Sequence, residues 1–394
     1  MSRRLKIAFI HYPHYVNSSR IETMPFALNS VLALAKSECE VDLFLWENKN
    51  TNYFDLFPEN VKIIYNQESY KLPLIDKPSI SKIINKPKFK AGILGFLFQN
   101  KYRMYDCVFG LGQIGAYVAS IISNSCNCPF IYYNDEFPSC WDNNNITWTK
   151  LEAKAVQKAS IIVVPDEQRF LPLSKELNIA SNPYFSLPNI PYKREYNHIN
   201  WHNKLNIPLG YDLFLHAGSV ADWSQIPEIM SSVPYWRERT CLIIHTRSNE
   251  NILKYRQQLS HLEIAGRIFW SLEPLSDSDL NSLVSYCSGN FALYRNLGPN
   301  IEYIGFSSGK LMRSLIYGSP VIASQLPSLQ FVEDHQLGVL VKHSAEIPHA
   351  IEKILLNRDL YSSNCLHFCK TQASFEQKWV NFYSKIKEIT NLHG

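Results

Sequence analysis

A Ser-Ser-Gly-Lys sequence opens the most informative predicted helix of the chain. Ser307, Ser308 and Gly309 stand where a predicted strand and a polar loop give way to a helical pattern. Free backbone N–H groups and the helix dipole make the start of a helix a site where an anion can bind. Lys310, in the first turn, adds a mobile positive charge. These residues predict phosphate binding, although an ordinary capped helix would show them too.

Two carboxylates and a histidine follow predicted strands in the first half of the chain. Asp135 and Glu136 come directly after a strand predicted over 130–134, and His11 ends one predicted over 5–11. Binding sites of α/β proteins form at the carboxyl ends of strands. A carboxylate there could take the proton of an attacking hydroxyl or stabilise developing positive charge. The alternatives are loop acids that cap the next element, and a structural histidine.

Short apolar strands alternate with helical patterns along the whole chain, which predicts an α/β fold with two doubly wound parallel sheets. The first series of strands is predicted at 5–11, 41–46, 61–65, 107–111, 130–134 and 161–165. The second is predicted at 213–217, 241–245, 267–270, 291–294, 320–323 and 338–341. Helices are predicted at 24–36, 114–123, 146–158 and 375–390. A polar, Pro- and Asn-rich stretch at 182–206 predicts a linker.

Length and composition fit two globular domains. The 394 residues exceed one ordinary core, so we place an N-terminal domain at 1–190, a C-terminal domain at 191–372 and a final helical segment at 373–394. The net charge of +4 comes without a basic stripe, so nucleic acid is not an expected partner. The nine cysteines are odd in number and lack zinc-site spacing, which favours reduced thiols in the cytosol.

No segment has the pattern of a signal peptide or a membrane span. The apolar run before His11 is too short for the first, and nothing reaches the ~20 apolar residues of the second. We therefore expect a cytoplasmic protein. Residues 82–103 mix lysines such as Lys86, Lys88 and Lys90 with apolar side chains, a combination that can rest on an anionic membrane surface. This predicts a peripheral position on the inner face, with a buried helix as the alternative.

The segment from 291 to 324 resembles the donor-site motif of glycosyltransferases of the GT-B fold, especially the large retaining family 4. Lys310-Leu311 and Gly318-Ser319-Pro320-Val321 match that motif in order and spacing. Weaker similarity extends over most of the chain and includes the Leu-His-Ala-Gly-Ser run ending at Ser219. The resemblance implies two doubly wound Rossmann-like domains that face each other across a cleft. It also implies a C-terminal helix that crosses back to the first domain.

The same resemblance implies an activity. A nucleoside-diphosphate sugar would bind the C-terminal domain as donor substrate, with no other cofactor and no metal. Its sugar would pass, with retention of anomeric configuration, to a hydroxyl acceptor held by the N-terminal domain. We expect the acceptor to be a glycan or lipid-linked saccharide of polysaccharide biosynthesis. Among the acids, Glu136 is preferred to Asp135 for the catalytic role, with His11 as a further candidate.

Two departures from the motif affect the donor site. Arg313 stands where relatives carry the Glu that resembles an acceptor for the ribose hydroxyls, and a guanidinium cannot accept hydrogen bonds. Ser219 stands where they often carry an Arg. The phosphate charge would then fall to other cations, and the missing carboxylate to a neighbouring loop. The candidates for these roles are Lys310, Arg247, Arg295, Arg313 and, for the carboxylate, Glu302.

Those departures also leave a rival function open. Arg313 and Ser219 favour a GT-B-shaped partner protein that binds a sugar or nucleotide without catalysing transfer. Each Arg could instead be solvated or structural. We expect an active glycosyltransferase, in which Arg313 has been recruited to the diphosphate.

Overall fold

The computed structural model describes residues 3–11, 21, 24–45, 56–65, 104–138, 146–179 and 181–391. The chain divides into two compact units. Unit 1 comprises Met1–Asn189 with Phe375–Gly394, and unit 2 comprises Ile190–Ser374. Each unit is built around one parallel sheet. The predicted α/β fold with two doubly wound sheets is therefore confirmed.

The sheet of unit 1 has seven parallel strands in the order β3-β2-β1-β4-β5-β6-β7. Their bounds are β1 Lys6–His11, β2 Glu40–Leu45, β3 Val61–Tyr65, β4 Cys107–Leu111, β5 Phe130–Tyr133, β6 Ile161–Val164 and β7 Tyr184–Ser186. The central strands are buried almost throughout because helices cover both faces. Six of the seven match the predicted strands. β7 was not predicted, since it lies within the stretch expected to be a linker.

The sheet of unit 2 has six parallel strands in the order β10-β9-β8-β11-β12-β13. Their bounds are β8 Asp212–Ala217, β9 Thr240–His245, β10 Ile268–Ser271, β11 Gly289–Ala292, β12 Val321–Ser324 and β13 Gly338–Val341. Successive side chains enter opposite layers, as in any strand: Phe214 joins one apolar cluster, while Leu213 and Leu215 join the other. The sheet thus has a core on both faces.

Fourteen α-helices accompany the strands in the described part of the chain. They are α1 Pro25–Lys36, α2 Gly112–Cys126, α3 Ile146–Val156, α4 Glu167–Leu177, α5 Trp201–Lys204, α6 Ile226–Ser232, α7 Glu250–Gln258, α8 Asp277–Tyr286, α9 Pro299–Glu302, α10 Gly309–Ile316, α11 Phe331–Asp334, α12 Ile347–Leu356, α13 Arg358–Thr371 and α14 Phe375–Asn391. None of those described is both long and apolar enough to cross a membrane.

The last helix, α14, packs on the sheet of unit 1. The Phe382 ring lies 6.4 Å from the Phe109 ring and 5.3 Å from the Phe185 ring, centroid to centroid. The Tyr383 hydroxyl donates a hydrogen bond to the Ser37 carbonyl at 3.3 Å. Aromatic burial of this kind ties the end of the chain to its first unit.

Candidate functional site

In unit 2 the strand order reverses between β8 and β11, which lie side by side at the centre of the sheet. In doubly wound sheets, ligands bind at the carboxyl ends of the strands that flank such a reversal. Gly218 follows β8 and Tyr294 follows β11, so their loops border this position. Gly218 has φ +137°, a conformation that a residue with a side chain adopts only under strain.

Lys310 carries a buried ammonium at this position. Its Nζ is inaccessible to solvent and has no hydrogen-bond partner within the described structure. The Nζ lies 4.4 Å from the centroid of the Tyr294 ring and 5.5 Å from that of Trp223. Burial lowers the pKa of Lys310 to about 7. Cation–π contacts offset part of the desolvation, but all three N–H donors remain available to an anion.

The start of α10 lies immediately before Lys310 in the chain. Ser308 is the N-cap, and its side chain accepts a hydrogen bond from the Leu311 N–H at 3.2 Å. The Ser308 hydroxyl also contacts the Tyr294 hydroxyl. The N–H groups of Gly309 and Lys310 precede the first intrahelical hydrogen bond. Ser308 therefore orients the helix start rather than offering its hydroxyl to a ligand, whereas Ser307 bonds the Ile304 carbonyl.

An aromatic wall stands beside the ammonium. The Trp223 and Tyr294 rings stack with centroids 6.1 Å apart and planes 12° from parallel. The Arg295 N–H donates to the Trp223 carbonyl at 2.8 Å, which joins the two loops that carry these rings. The loop after β8 and the loop after β11 are thus held together directly at the side of Lys310.

His216, in β8, makes a hydrogen bond to the loop that follows this strand. It is fully buried, and its Nε2 lies 3.2 Å from the Ser219 carbonyl oxygen. Burial, and then the positive charge of Lys310, hold the pKa of His216 well below its ordinary value. The imidazole is therefore neutral, while Ser219 itself is exposed.

The other predicted donor ligands of unit 2 lie apart from the described contacts of Lys310. The Arg313 guanidinium donates to Asp277 at 2.8 Å and also to Asn281, both on α8. Arg295 forms an ion pair with Glu228. The two remaining predicted ligands, Arg247 and Glu302, are exposed and have no described contact with Lys310. The structure therefore brings Lys310, Ser308, Gly309 and the turn at Ser219 together.

The predicted catalytic residues of unit 1 lie at the carboxyl ends of β1, which borders the strand reversal between β1 and β4, and of β5, which is the next strand beyond β4. His11 ends β1 and is fully buried, and neither ring nitrogen has a partner in the described structure. Burial lowers the pKa of His11 to about 3. Asp135 follows β5, and its Oδ1 lies 3.2 Å from where a Cβ on Gly112 would be. A side chain at Gly112, where φ is +66°, would displace this carboxylate.

Arg169 lies beside the two acidic residues that follow β5. It is buried, and its guanidinium donates to the Asp135 carbonyl at 3.2 Å. Burial raises the pKa of the Asp135 carboxyl, while the charge of Arg169 opposes that shift. The carboxylate charges of Glu136 and Asp135 act in turn on Arg169, whose pKa burial lowers. Asp135 and Glu136 are thus placed beside a buried cation that was not predicted.

Tyr132 and Asn134, next to Asp135 and Glu136 in the chain, form a hydrogen-bonded group with Glu152. The Tyr132 hydroxyl donates to Glu152 Oε1 at 2.5 Å, and the Asn134 side-chain amide donates to Tyr132 Oη at 3.1 Å. Glu152, on α3, is fully buried, and burial raises its pKa to about 8. The carboxyl is therefore protonated at neutral pH, and it stabilises the position of β5.

Replacing Glu152 with Gln should make folding stability less sensitive to pH. The folded protein holds this proton up to a pKa of about 8, whereas an unfolded Glu loses it near pH ~4.3. Between these values the free energy of unfolding falls as pH rises, by at most about 1.4 kcal/mol per unit. Denaturant unfolding at pH 5 and pH 7.5 should show a larger fall for the wild type than for Glu152→Gln. Glu40→Gln, at an exposed site, is the control; equal slopes in all three proteins would refute the assignment.

Three residues of the unit 2 site were not predicted from the sequence. His216 lies inside an apolar strand, and Trp223 and Tyr294 belong to loops that meet only in the folded unit. The one available signal was an aromatic residue in the polar loop after Gly218. In the described part of the chain, no three His, Cys, Asp or Glu side chains are grouped to hold a metal ion.

The fold is that of solved glycosyltransferases. Sucrose-phosphate synthase from Thermosynechococcus elongatus superposes with a TM-score of 0.76 at 14% identity, over 99% of this chain and 100% of that one. HepE from Anabaena, crystallised with UDP and glucose, gives 0.68 at 13% identity, over 98% and 100%. A glycosyltransferase from Rickettsia africae gives 0.67 at 12% identity, over 98% and 99%.

The likeness is one of structure rather than sequence. No protein-family model matches the chain, and a comparison with curated proteins finds no match. The predicted GT-B fold is confirmed by the structural matches. Membership of the retaining family 4 stays a prediction.

Proposed function

We propose that this chain is a glycosyltransferase that moves a sugar from a nucleoside-diphosphate sugar to a hydroxyl acceptor. The observation that carries the proposal is the unpartnered, buried ammonium of Lys310 in the first turn of α10. Burying a charge without a partner is unfavourable, so such a group is explained best by an anion that binds there. HepE, which has the same fold, was crystallised with UDP and with UDP-glucose. A nucleoside diphosphate is therefore the proposed anion.

The proposed reaction exchanges one C–O bond for another. The bond between the anomeric carbon and the β-phosphate oxygen breaks, and the acceptor oxygen forms a new bond to that carbon. Negative charge grows on the departing diphosphate, where the Lys310 ammonium and the N–H groups that begin α10 would stabilise it. Because these groups are already positioned, little reorganisation is needed as the charge develops. The acceptor proton would pass to a carboxylate or to the departing phosphate.

The acceptor side of the proposal rests on the sequence. Glu136 or Asp135, after β5, would act on the acceptor hydroxyl, and His11, at the carboxyl end of β1 in the same sheet, is the further candidate. We propose a glycan or lipid-linked saccharide as acceptor, with metal-independent transfer and retention of configuration. Residues 82–103, the proposed contact with an anionic membrane surface, lie outside the described residues. The cytoplasmic location and the position on the inner membrane face also stay predictions.

A thermal-shift panel tests donor binding. Nucleoside-diphosphate sugars that carry uridine, guanosine, adenosine, thymidine or cytidine should be compared at equal concentrations. A ligand present at 100 times its Kd stabilises the folded protein by about 2.7 kcal/mol. The panel should begin with UDP-glucose. We expect the sugars of one nucleotide to raise the melting temperature of the protein clearly. A panel in which no nucleotide sugar raises it would contradict the proposal.

One observation favours the rival function. Arg313 replaces the Glu that relatives use, and its guanidinium is held by Asp277 and Asn281. A protein that binds a nucleotide sugar without transferring the sugar would need no carboxylate there. The two functions differ in turnover: both predict a thermal shift, but only the enzyme releases nucleoside diphosphate.

A further inference from the structure

His216 makes a single hydrogen bond, and that bond determines its tautomer. A carbonyl oxygen can only accept, so the contact of Nε2 with the Ser219 oxygen at 3.2 Å places the proton on Nε2. Nδ1 is then the unprotonated nitrogen. It is buried and has no partner among the described residues. The side chain is completely buried, so bulk water does not compete for either ring nitrogen.

The turn after β8 is fixed at two points. The Gly218 N–H donates to the His245 carbonyl at 3.0 Å, and the Ser219 carbonyl accepts from His216. In a trans peptide the C=O and the following N–H point in opposite directions. Drawing the Ser219 carbonyl inward therefore turns the Val220 N–H away from His216. Without His216, the Ser219 carbonyl would lose the hydrogen bond that orients the peptide between Ser219 and Val220.

The same turn passes beside Lys310. A Cβ built on Gly218 would lie 4.0 Å from Lys310 Cδ. The Lys310 charge also reaches His216, because it helps to hold the pKa of the imidazole down. An imidazole cannot compensate a positive charge, and in its neutral form it adds no repulsion either, so the protonated form of Lys310 remains available to an anion.

We propose that His216 is a positioning residue of the diphosphate site, which holds the turn at Gly218 and Ser219 against Lys310 and stays neutral beside it. This inference rests on the proposed nucleotide-sugar function. It differs from that function in naming a residue that would touch no ligand. His216 would act through the turn and through the uncompensated charge of Lys310.

Two substitutions separate positioning from mere packing. In His216→Gln the amide nitrogen takes the place of Nε2 and keeps the bond to the Ser219 carbonyl; in His216→Asn the shorter side chain loses it. Affinities for UDP, UMP and uridine should be measured by calorimetry. If another base binds best, its diphosphate, monophosphate and nucleoside take their place. We expect about tenfold weaker UDP binding by His216→Asn, a change below about twofold for UMP, and near-normal values for His216→Gln.

His202→Asn is the matched control, because His202 is also in unit 2 and its Nε2 also lies 3.0 Å from a backbone carbonyl oxygen, that of Tyr211, which is not part of the turn at Gly218. It should leave the ratio of UDP to UMP affinity unchanged. The affinities of wild type and His216→Gln should also share one pH profile between pH 5.5 and 7, since a neutral His216 does not titrate there. An extra inflection in the wild type would overturn the neutral state.

The outcomes distinguish this inference from the function on which it rests. If UDP binds and His216→Asn binds it normally, the positioning role fails and the proposed function stands. Equal losses for UDP, UMP and uridine would show general loosening and also overturn the role. Failure of the wild type to bind any nucleotide would overturn both.

Discussion

Lys310→Met should weaken binding of the cognate nucleotide sugar by roughly 30-fold to 150-fold, because charge-assisted hydrogen bonds contribute about 2–3 kcal/mol. Stability should be unchanged or raised, since the ammonium has no partner in the unliganded protein. A methionine can fill the same space beside the Trp223 and Tyr294 rings. Calorimetric titration together with thermal unfolding would measure both effects.

The affinity should also depend on pH in a direction set by Lys310. Its pKa is about 7 without ligand, whereas the bound diphosphate requires the charged form. Above pH 7 binding must therefore take up a proton, and affinity should fall with rising pH by at most about tenfold per unit. Lys310→Arg stays charged and should lose this dependence. A flat wild-type profile would contradict it.

The control for both measurements is Lys353→Met, at an exposed position on α12. It removes the same charge from the same unit without touching the site, so affinity should stay within twofold of the wild type. A Lys310→Met protein that folds and binds every nucleotide normally would remove Lys310 from the site.

Arg313→Glu should destabilise unit 2 and should not increase sugar transfer. Arg313 is largely buried and binds Asp277 and Asn281, so a carboxylate in its place would face another carboxylate. A cost of about 1–3 kcal/mol follows from breaking such a pair. Because α10 also carries Lys310, loosening it against α8 should lower transfer. Arg313→Lys keeps the positive charge but lacks the planar guanidinium, so its stability and its rate of transfer should lie between those of the wild type and Arg313→Glu.

The charge-reversed pair Asp277→Arg with Arg313→Asp is the decisive control. It should recover part of the stability lost in Arg313→Glu. Lys385→Glu, in an exposed pair on α14, should change stability by less than about 0.5 kcal/mol. A gain of transfer in Arg313→Glu would show a decayed enzyme. A loss of donor affinity in Arg313→Lys at unchanged stability would instead support direct contact with the diphosphate.

The strands could be predicted because parallel strands covered on both faces are continuous apolar runs. β7 could not, since it has three residues, lies at the sheet edge and follows Pro183 within a polar stretch. The Pro and Asn residues on both sides favour a loop. Its pairing with β6 is what makes Tyr184–Ser186 a strand.

The candidate anion site at Lys310 could be proposed from the sequence because a helix start is a local feature. Its surroundings could not: Trp223 and Tyr294 stack only because β8 and β11 are neighbours in the sheet. The partners of Arg313 lie 32 and 36 residues earlier in the chain. A contact between two helices leaves no trace in local spacing. The sequence therefore predicts the candidate cations but not which of them are engaged elsewhere.

Release of nucleoside diphosphate from the best-binding nucleotide sugar tests the central claim most directly. A phosphatase-coupled assay should be run with water or a simple saccharide as acceptor. We predict measurable release by the wild type and by Lys353→Met, and at least about thirtyfold slower release by Lys310→Met at subsaturating donor. Equal rates in wild type and Lys310→Met, or no release from any donor that binds, would contradict a glycosyltransferase whose donor site is built around Lys310.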